Sequence, residues 1–193
     1  RGLYEAYSST DARRRFVELG NRNSIGGEVN VPLCLKYTNI SNYTENTKVF
    51  RLAEMYLNRA EALARIAVQN GDVASLTNSL VDINLIRRTR DTATTSRPLA
   101  VAFGTPPTGS ITTTAYLDSI ILERRREFAL EGQRLFDLNR TKINYVKINS
   151  AGNGASRLVQ YTNTTSSYYY RTILPIPISQ IQNNPNMVQN EGF

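Results

Sequence analysis

Apolar side chains recur at three- and four-residue spacing between Thr47 and Asn70, at Phe50, Ala53, Leu57, Ala60, Leu63, Ala64 and Ala67. That spacing predicts a helix over 47–70, with Gly71 placed to stop it. Asp72 is the expected cap of a second helix over 72–90, whose Leu76, Leu80, Ile83 and Ile86 form one stripe. Two helices joined at Asn70-Gly71-Asp72 make an antiparallel hairpin. Within the first helix, Ala alternates with Leu and Tyr, so that another helix can approach closely, as in tetratricopeptide repeats. A third helix is predicted over 114–132 through Tyr116, Leu117, Ile120, Ile121 and Phe128. Gly132 is the expected break, and a shorter helix over 133–140 follows through Leu135, Phe136 and Leu138.

The remaining segments are punctuated differently. Asp11 is placed to cap a short helix in Asp-Ala-Arg-Arg-Arg-Phe-Val-Glu-Leu, which Gly20 follows, and residues 21–46 are rich in Asn, Gly, Ser and Thr. An extended piece around Val29–Tyr37 reads as irregular chain or a small hairpin. Residues 91–113, including Gly104-Thr-Pro-Pro-Thr-Gly109, read as a connecting loop, and 141–172 as a long loop with short strands near Ile143–Ile148 and Arg157–Tyr161. The tail from Ile173 combines an extended Pro segment, a helical turn and a second Pro-bearing extended end. The fold class is therefore mainly α, with tetratricopeptide-like helical hairpins, long irregular loops and minor β.

Composition narrows the chemistry. A hydrophobic fraction of 40% supports a core, and no apolar run reaches the eighteen or so residues a membrane span needs. The first residues, Arg-Gly-Leu-Tyr-Glu, lack a signal-peptide layout. The chain has no His, which excludes Ser-His-Asp and Cys-His nucleophilic chemistry and His-ligated metals. Its single cysteine, Cys34, builds neither a disulfide nor a thiolate metal site, and its setting Val-Pro-Leu-Cys-Leu predicts a small core residue. No cofactor and no metal are expected. The net charge is +7, but 19 of the 23 basic residues are Arg, the side chain suited to partly buried bidentate ion pairs.

Glu123, Glu127, Glu131 and Asp137 have spacing that a glycosidase could use, because helical positions four apart lie about 6 Å from each other. Arg124, Arg125, Arg126 and Arg134 stand beside them, and these favour the ionised carboxylate over the protonated acid such a reaction needs. The expectation is a structural ion-pair network of Glu123, Arg124, Arg126, Glu127, Glu131, Arg134 and Asp137. Within it Glu123–Arg126, Arg124–Glu127 and Glu131–Arg134 pair at i,i+3. Glu54 and Glu61 are expected to form a similar set with Arg51, Arg59 and Arg65. The same interleaving of Glu argues against nucleic acid as partner. Tyr161, Tyr168, Tyr169 and Tyr170, together with Tyr37 and Tyr43, lie among Thr, Ser and Asn. Sugar rings stack on aromatics while amide side chains bond their hydroxyls, so these loops are the expected ligand contacts.

Three blocks together resemble the SusD/RagB family. They are Arg51-Leu-Ala-Glu-Met-Tyr-Leu-Asn-Arg-Ala-Glu-Ala62, Asp82-Ile-Asn-Leu-Ile-Arg-Arg88 and the run from Ile121 to Arg140 containing Glu-Arg-Arg-Arg-Glu-Phe. Leu174-Pro-Ile-Pro, Asn184-Pro and Gln189-Asn-Glu-Gly-Phe193 resemble the family's ending, and Tyr7-Ser-Ser-Thr-Asp-Ala-Arg-Arg14 resembles the segment before its last helical repeats. The resemblance implies that 1–193 is the C-terminal part of a longer outer-membrane, cell-surface lipoprotein whose lipid anchor lies upstream. It also implies a non-enzymatic subunit that binds a nutrient, expected to be an oligosaccharide, and delivers it to a SusC-like TonB-dependent transporter. A helical-repeat scaffold for another protein or peptide stays open beside it, and would use a concave helical surface in place of the aromatic loops.

Overall fold

The computed structural model describes residues 3–20, 31–37, 48–93, 99–101, 112–147, 157–159 and 174–190. The chain divides into two compact units, Arg1–Gly132 and Gln133–Phe193. Among the described residues it is mostly helical with two small β-hairpins, the predicted fold class.

The first unit is built on three helices, α1 (Leu52–Asn70), α2 (Val73–Arg90) and α3 (Thr113–Glu127). Gly71 takes the left-handed conformation (φ 68°) that ends α1, and the Asp72 side chain accepts from the Ala74 N–H to start α2. That two-residue connection folds α2 back along α1. Ala53, Leu57, Ala60, Ala64 and Ala67 face Leu76, Ile83 and Ile86, and Tyr116, Ile120 and Phe128 close the same core. The small Ala positions let the helices approach closely, while Leu57, Ile83 and Ile120 are wholly buried between them.

One polar contact specifies how the three helices meet. The Ser79 hydroxyl, on α2, lies 2.6 Å from the Ala60 carbonyl on α1 and 2.6 Å from the Tyr116 hydroxyl on α3. A serine has one hydroxyl proton; Ser79 donates it to Ala60 and accepts from Tyr116. Burial pushes the Tyr116 phenol up to about 12, so it remains a donor. Tyr116→Phe leaves the Ser79 lone pair unmet in an apolar layer. It is expected to cost roughly 1–2 kcal/mol in urea unfolding, with little change in far-ultraviolet circular dichroism.

The N-terminal segment lies on this helical layer. It comprises a 3-10 turn at Tyr4–Ala6, a 3-10 helix at Ala12–Phe16 capped by Asp11, and β1 (Val17–Gly20), which pairs antiparallel with β2 (Val31–Cys34). The Ser8 and Thr10 hydroxyls donate to Asp91, just beyond α2, at 2.6 and 2.5 Å, and Asp11 and Asp91 form a β-bridge.

In the second unit α4 (Arg134–Thr141) is followed by β3 (Tyr145–Lys147), which pairs antiparallel with β4 (Arg157–Val159). The tail forms α5 (Ile178–Asn183) after the run Leu174-Pro-Ile-Pro177. Pro175 and Pro177 have no N–H, so Ile176 carries the donor between them. The Gln189 carboxamide meets it on both sides: its oxygen accepts from the Ile176 N–H (2.8 Å) and its nitrogen donates to the Ile176 carbonyl (2.9 Å). The Asn190 amide donates to the Leu174 carbonyl. Gln189→Ala removes a two-bond clamp, and we expect it to loosen the tail by roughly 1–2 kcal/mol, read as faster amide exchange at Ile176 with the global unfolding midpoint little changed.

Several expectations are corrected. The first helix begins at Leu52 and not near Thr47, because Arg51 is extended (φ −135°, ψ 145°) and turns its side chain toward the end of α3; Phe50 is consequently outside the helix and 81% exposed. The third helix ends at Glu127, five residues before Gly132. Phe128 closes into the core, and Leu130 (φ 66°) and Gly132 (φ 80°) then take the left-handed conformation, which does not continue a helix. In α4, Leu138 is buried while Leu135 and Phe136 are exposed. Cys34 is exposed and not part of the core, because a two-stranded ribbon lays no second layer over it.

Candidate functional site

Of the six tyrosines expected to touch ligand, Tyr37 is half-buried beside Lys36. Tyr43, Tyr161, Tyr168, Tyr169 and Tyr170 lie outside the described residues. The charged positions are more informative.

Glu127, at the last turn of α3, is buried and meets three guanidinium groups. Arg13 donates at 3.0 Å from the 3-10 helix, Arg51 at 2.8 Å from the residue preceding α1, and Arg90 at 3.0 and 3.2 Å from the end of α2. Burial by itself would raise the carboxyl; the hydrogen bonds from Arg90 and Arg51 and the charges of Arg90 and Arg13 outweigh it and hold Glu127 at about 2. One element alone could not do this, because the three donors lie 37, 76 and 114 positions from Glu127 in the chain.

Arg13 is the hub on the N-terminal side, only 6% exposed. Its Nε and Nη2 donate to Asp11 at 2.9 and 2.7 Å, and its Nη1 donates to Glu123 (2.7 Å) and to Glu127. The guanidinium also lies 5.8 Å from the centre of the Tyr7 ring. Burial alone would lower its affinity for its proton, but Asp11 and Glu123 more than reverse that, so Arg13 stays charged. Next to it a reciprocal clasp joins the segment to α3. The Tyr7 hydroxyl donates to the Arg126 carbonyl (2.8 Å), and Arg126 Nε donates to the Ala6 carbonyl (2.6 Å). Burial pushes the Tyr7 phenol up to about 12, which keeps it a donor at any physiological pH.

Glu123 also receives Arg126 at 3.3 Å, an i,i+3 pair. Arg124 donates to Asn58 (2.6 Å) and stacks over Phe128 at 5.3 Å. Glu131 is met by Arg51 and by the Lys36 ammonium. Asp137, in the second unit, is buried and accepts from Arg140 at 2.9 Å, also i,i+3. Arg134 is half-buried at the start of α4. On the hairpin, Glu61 pairs with Arg65 within α1, whereas Arg59 crosses to Asp82 on α2 through two bonds of 2.7 Å. Arg13, Asp11, Lys36, Arg51 and Arg90 were not placed in the Glu123–Asp137 network by sequence reasoning. For the three arginines the signal was the excess of Arg over Lys, and Asp11 had been read only as a helix cap.

An ionised Glu127 gripped by three cations cannot serve as the proton-donating acid of glycosidic cleavage. Among the described residues no group of three or more metal-type ligands comes together, and no helix is long and apolar enough to cross a membrane. Above the network the first unit holds a cleft of about 440 Å³. Tyr7, Phe16 and Thr89 line it with Glu127 and Glu131, and its remaining charged lining is cationic.

The sequence pattern of the SusD family matches residues 32–193. The starch-binding protein SusD of Bacteroides thetaiotaomicron is 36% identical over 151 residues, which is 75% of this chain and 21% of that protein. Two solved SusD superfamily proteins superpose at 25% identity. One, from Bacteroides thetaiotaomicron, gives a TM-score of 0.67 over 98% of this chain and 39% of its own; the other, from Bacteroides vulgatus, gives 0.66 over 95% and 36%. The chain thus spans about a fifth of the curated relative's length and well under half of the solved ones. With the family pattern running through the helices, the network and the tail described above, the chain belongs to the SusD family.

Proposed function

We propose that this chain is the C-terminal part of a nutrient-binding subunit that captures an oligosaccharide at the outer-membrane surface and passes it, unaltered, to a SusC-like TonB-dependent transporter. The observation that carries the reading is the 36% identity to a starch-binding relative across three quarters of the chain. The role of the described part is that of a scaffold. Three helices locked by a buried polar contact and a multivalent ion network give the first unit a stiff base, and a preformed base lowers the ordering cost of binding. Contacts to sugar rings fall to Tyr37, Tyr43, Tyr161, Tyr168, Tyr169 and Tyr170. The anchor to the membrane is lipid, on a part of the protein upstream of this sequence. No reaction is catalysed.

The test is a calorimetric and affinity-electrophoresis screen of neutral oligosaccharides and polysaccharides. Saturable binding without release of new reducing ends, weakened by Tyr168→Ala and Tyr170→Ala, is the expected result. Binding to no glycan in the panel would overturn the reading, and so would turnover that disappears in a folded Glu127→Gln variant. A helical-repeat scaffold is the second reading. It draws on the exposed Met55, Ile66, Val68, Val73 and Val81 of the α1–α2 hairpin, and predicts a protein partner whose affinity ignores both tyrosine changes.

A further inference from the structure

The cations around the buried network outnumber the carboxylates, and the surplus faces open space. Among the described residues, seven Arg and Lys side chains line the cleft above Glu127, against two carboxylates. Asp11 and Glu123 neutralise part of this from behind, through Arg13 and, for Glu123, Arg126 as well, and still leave cations in excess. The surplus is not spread evenly. Arg15 and Lys48 are exposed and have no carboxylate partner among the described residues, and the Arg15 guanidinium is steadied 5.0 Å from the centre of the Phe16 ring. Arg90 uses Nε and Nη2 on Glu127, and its side chain remains 38% exposed. Lys36 and Arg51 share Glu131. Exposed guanidinium groups, set in a concave wall beside the exposed Lys48 ammonium, match the oxygens of an oxyanion.

We propose that this cleft is an oxyanion site that takes the carboxylate or sulfate group of an acidic saccharide. Arg15 and Lys48 would meet the anion at the rim and Arg90 from the wall. Phe16 and Tyr7 offer apolar surface beside it, and the Thr89 side chain also lines the cleft, so a sugar ring as well as a bare ion has something to lie against. Among the described residues, the cleft lining includes none of the tyrosines assigned to sugar contacts. The saccharide part of this assignment rests on the nutrient-binding reading; its anion part does not.

The experiment is calorimetry on the full chain with three probes: sodium sulfate, an oligogalacturonate and a neutral oligosaccharide of equal length. Each is repeated on Arg15→Glu/Lys48→Glu, which touches none of the buried pairs, and on Arg88→Glu, an exposed cation of α2 outside the cleft. The expected result is saturable oligogalacturonate binding that sulfate competes, roughly tenfold weaker in the double variant and unchanged in Arg88→Glu. Sulfate binding alone, with the same variant pattern, would keep the oxyanion site and overturn its saccharide assignment. No saturable anion binding, or equal weakening by Arg88→Glu, would overturn the proposal by reducing it to the diffuse field of a +7 chain. A neutral oligosaccharide that binds while the acidic one gains nothing would sink this site and leave the nutrient-binding reading standing.

Discussion

Arg13→Ala is expected to destabilise the first unit by roughly 3–5 kcal/mol, one of the two largest effects foreseen here. The substitution strips a cation from Asp11, Glu123 and Glu127 at once, and all three carboxylates are at least 95% buried. Asp11 loses the cation it pairs with, while Glu123 keeps Arg126 and Glu127 keeps Arg51 and Arg90, so the penalty is that of under-compensated buried charge and not of one lost hydrogen bond. Chemical unfolding followed by tyrosine fluorescence measures it. Arg13→Met/Asp11→Asn separates charge from packing, because it restores the aliphatic stem while neutralising the acid that Arg13 was paired with. If the double variant recovers none of the lost stability relative to Arg13→Met alone, the electrostatic account of the hub fails.

The second large effect is an acid transition that belongs to Glu127. Its folded value of about 2 lies below its ordinary 4.5, so the stability it contributes is fully present above about pH 4.5 and is lost as pH falls through about 2. The size follows from that difference and is on the order of 3 kcal/mol. Asp91 also lies below the usual carboxylate range: burial opposes this, but the Ser8 and Thr10 hydroxyls overcome it, so Asp91 adds to the loss in the same direction. Glu127→Gln isolates the first contribution. The variant should be less stable at neutral pH, where three guanidinium groups face a neutral amide, and should lose less than the wild type between pH 5 and 2. Parallel stability–pH curves for the two proteins would show that Glu127 is not the group responsible.

Both predictions concern one place, the end of α3, where the protein joins its N-terminal segment to the helical layer. Arg13, Arg51 and Arg90 come from three different parts of the chain and end on one carboxylate. Removing any of them should loosen more than its own segment, since the carboxylate it leaves is shared. This also ties the scaffold to the cleft. The arginines that grip Glu127 line the cavity in which an anion would sit, and the remaining charge of Arg90 is available because Glu127 is divided among three cations.

Helix positions were legible in the sequence because they depend on short-range physics. Leu57, Ile83 and Ile120 recur at helical spacing and are buried, Gly71 supplies a left-handed stop, and Asp72 supplies a cap two residues before the N–H it accepts from. The paired strands at Tyr145–Lys147 and Arg157–Val159 fall inside the stretches read as extended, and the family blocks were plain in the residues themselves. Where spacing was taken beyond its reach it misled. The i,i+3 rule allows Glu127 to meet Arg124, yet the partners that decide its charge are 37, 76 and 114 positions away. Phe50 fits the apolar period of α1, but the extended backbone of Arg51 puts it outside the helix.

By itself, then, the sequence determined the helices, the Gly71 stop and the Asp72 cap, the hairpin, the family, and that Arg in such numbers would seek carboxylates. Only the tertiary structure decided which carboxylates, which arginines were left facing solvent, and that Cys34 would lie on a surface ribbon. The reason is the range of the forces. Helix propensity and capping act within about one turn of chain, and can be read from neighbours. Ion pairing acts through space over a few ångströms, and which groups come that close is known only once loops of many tens of residues have closed.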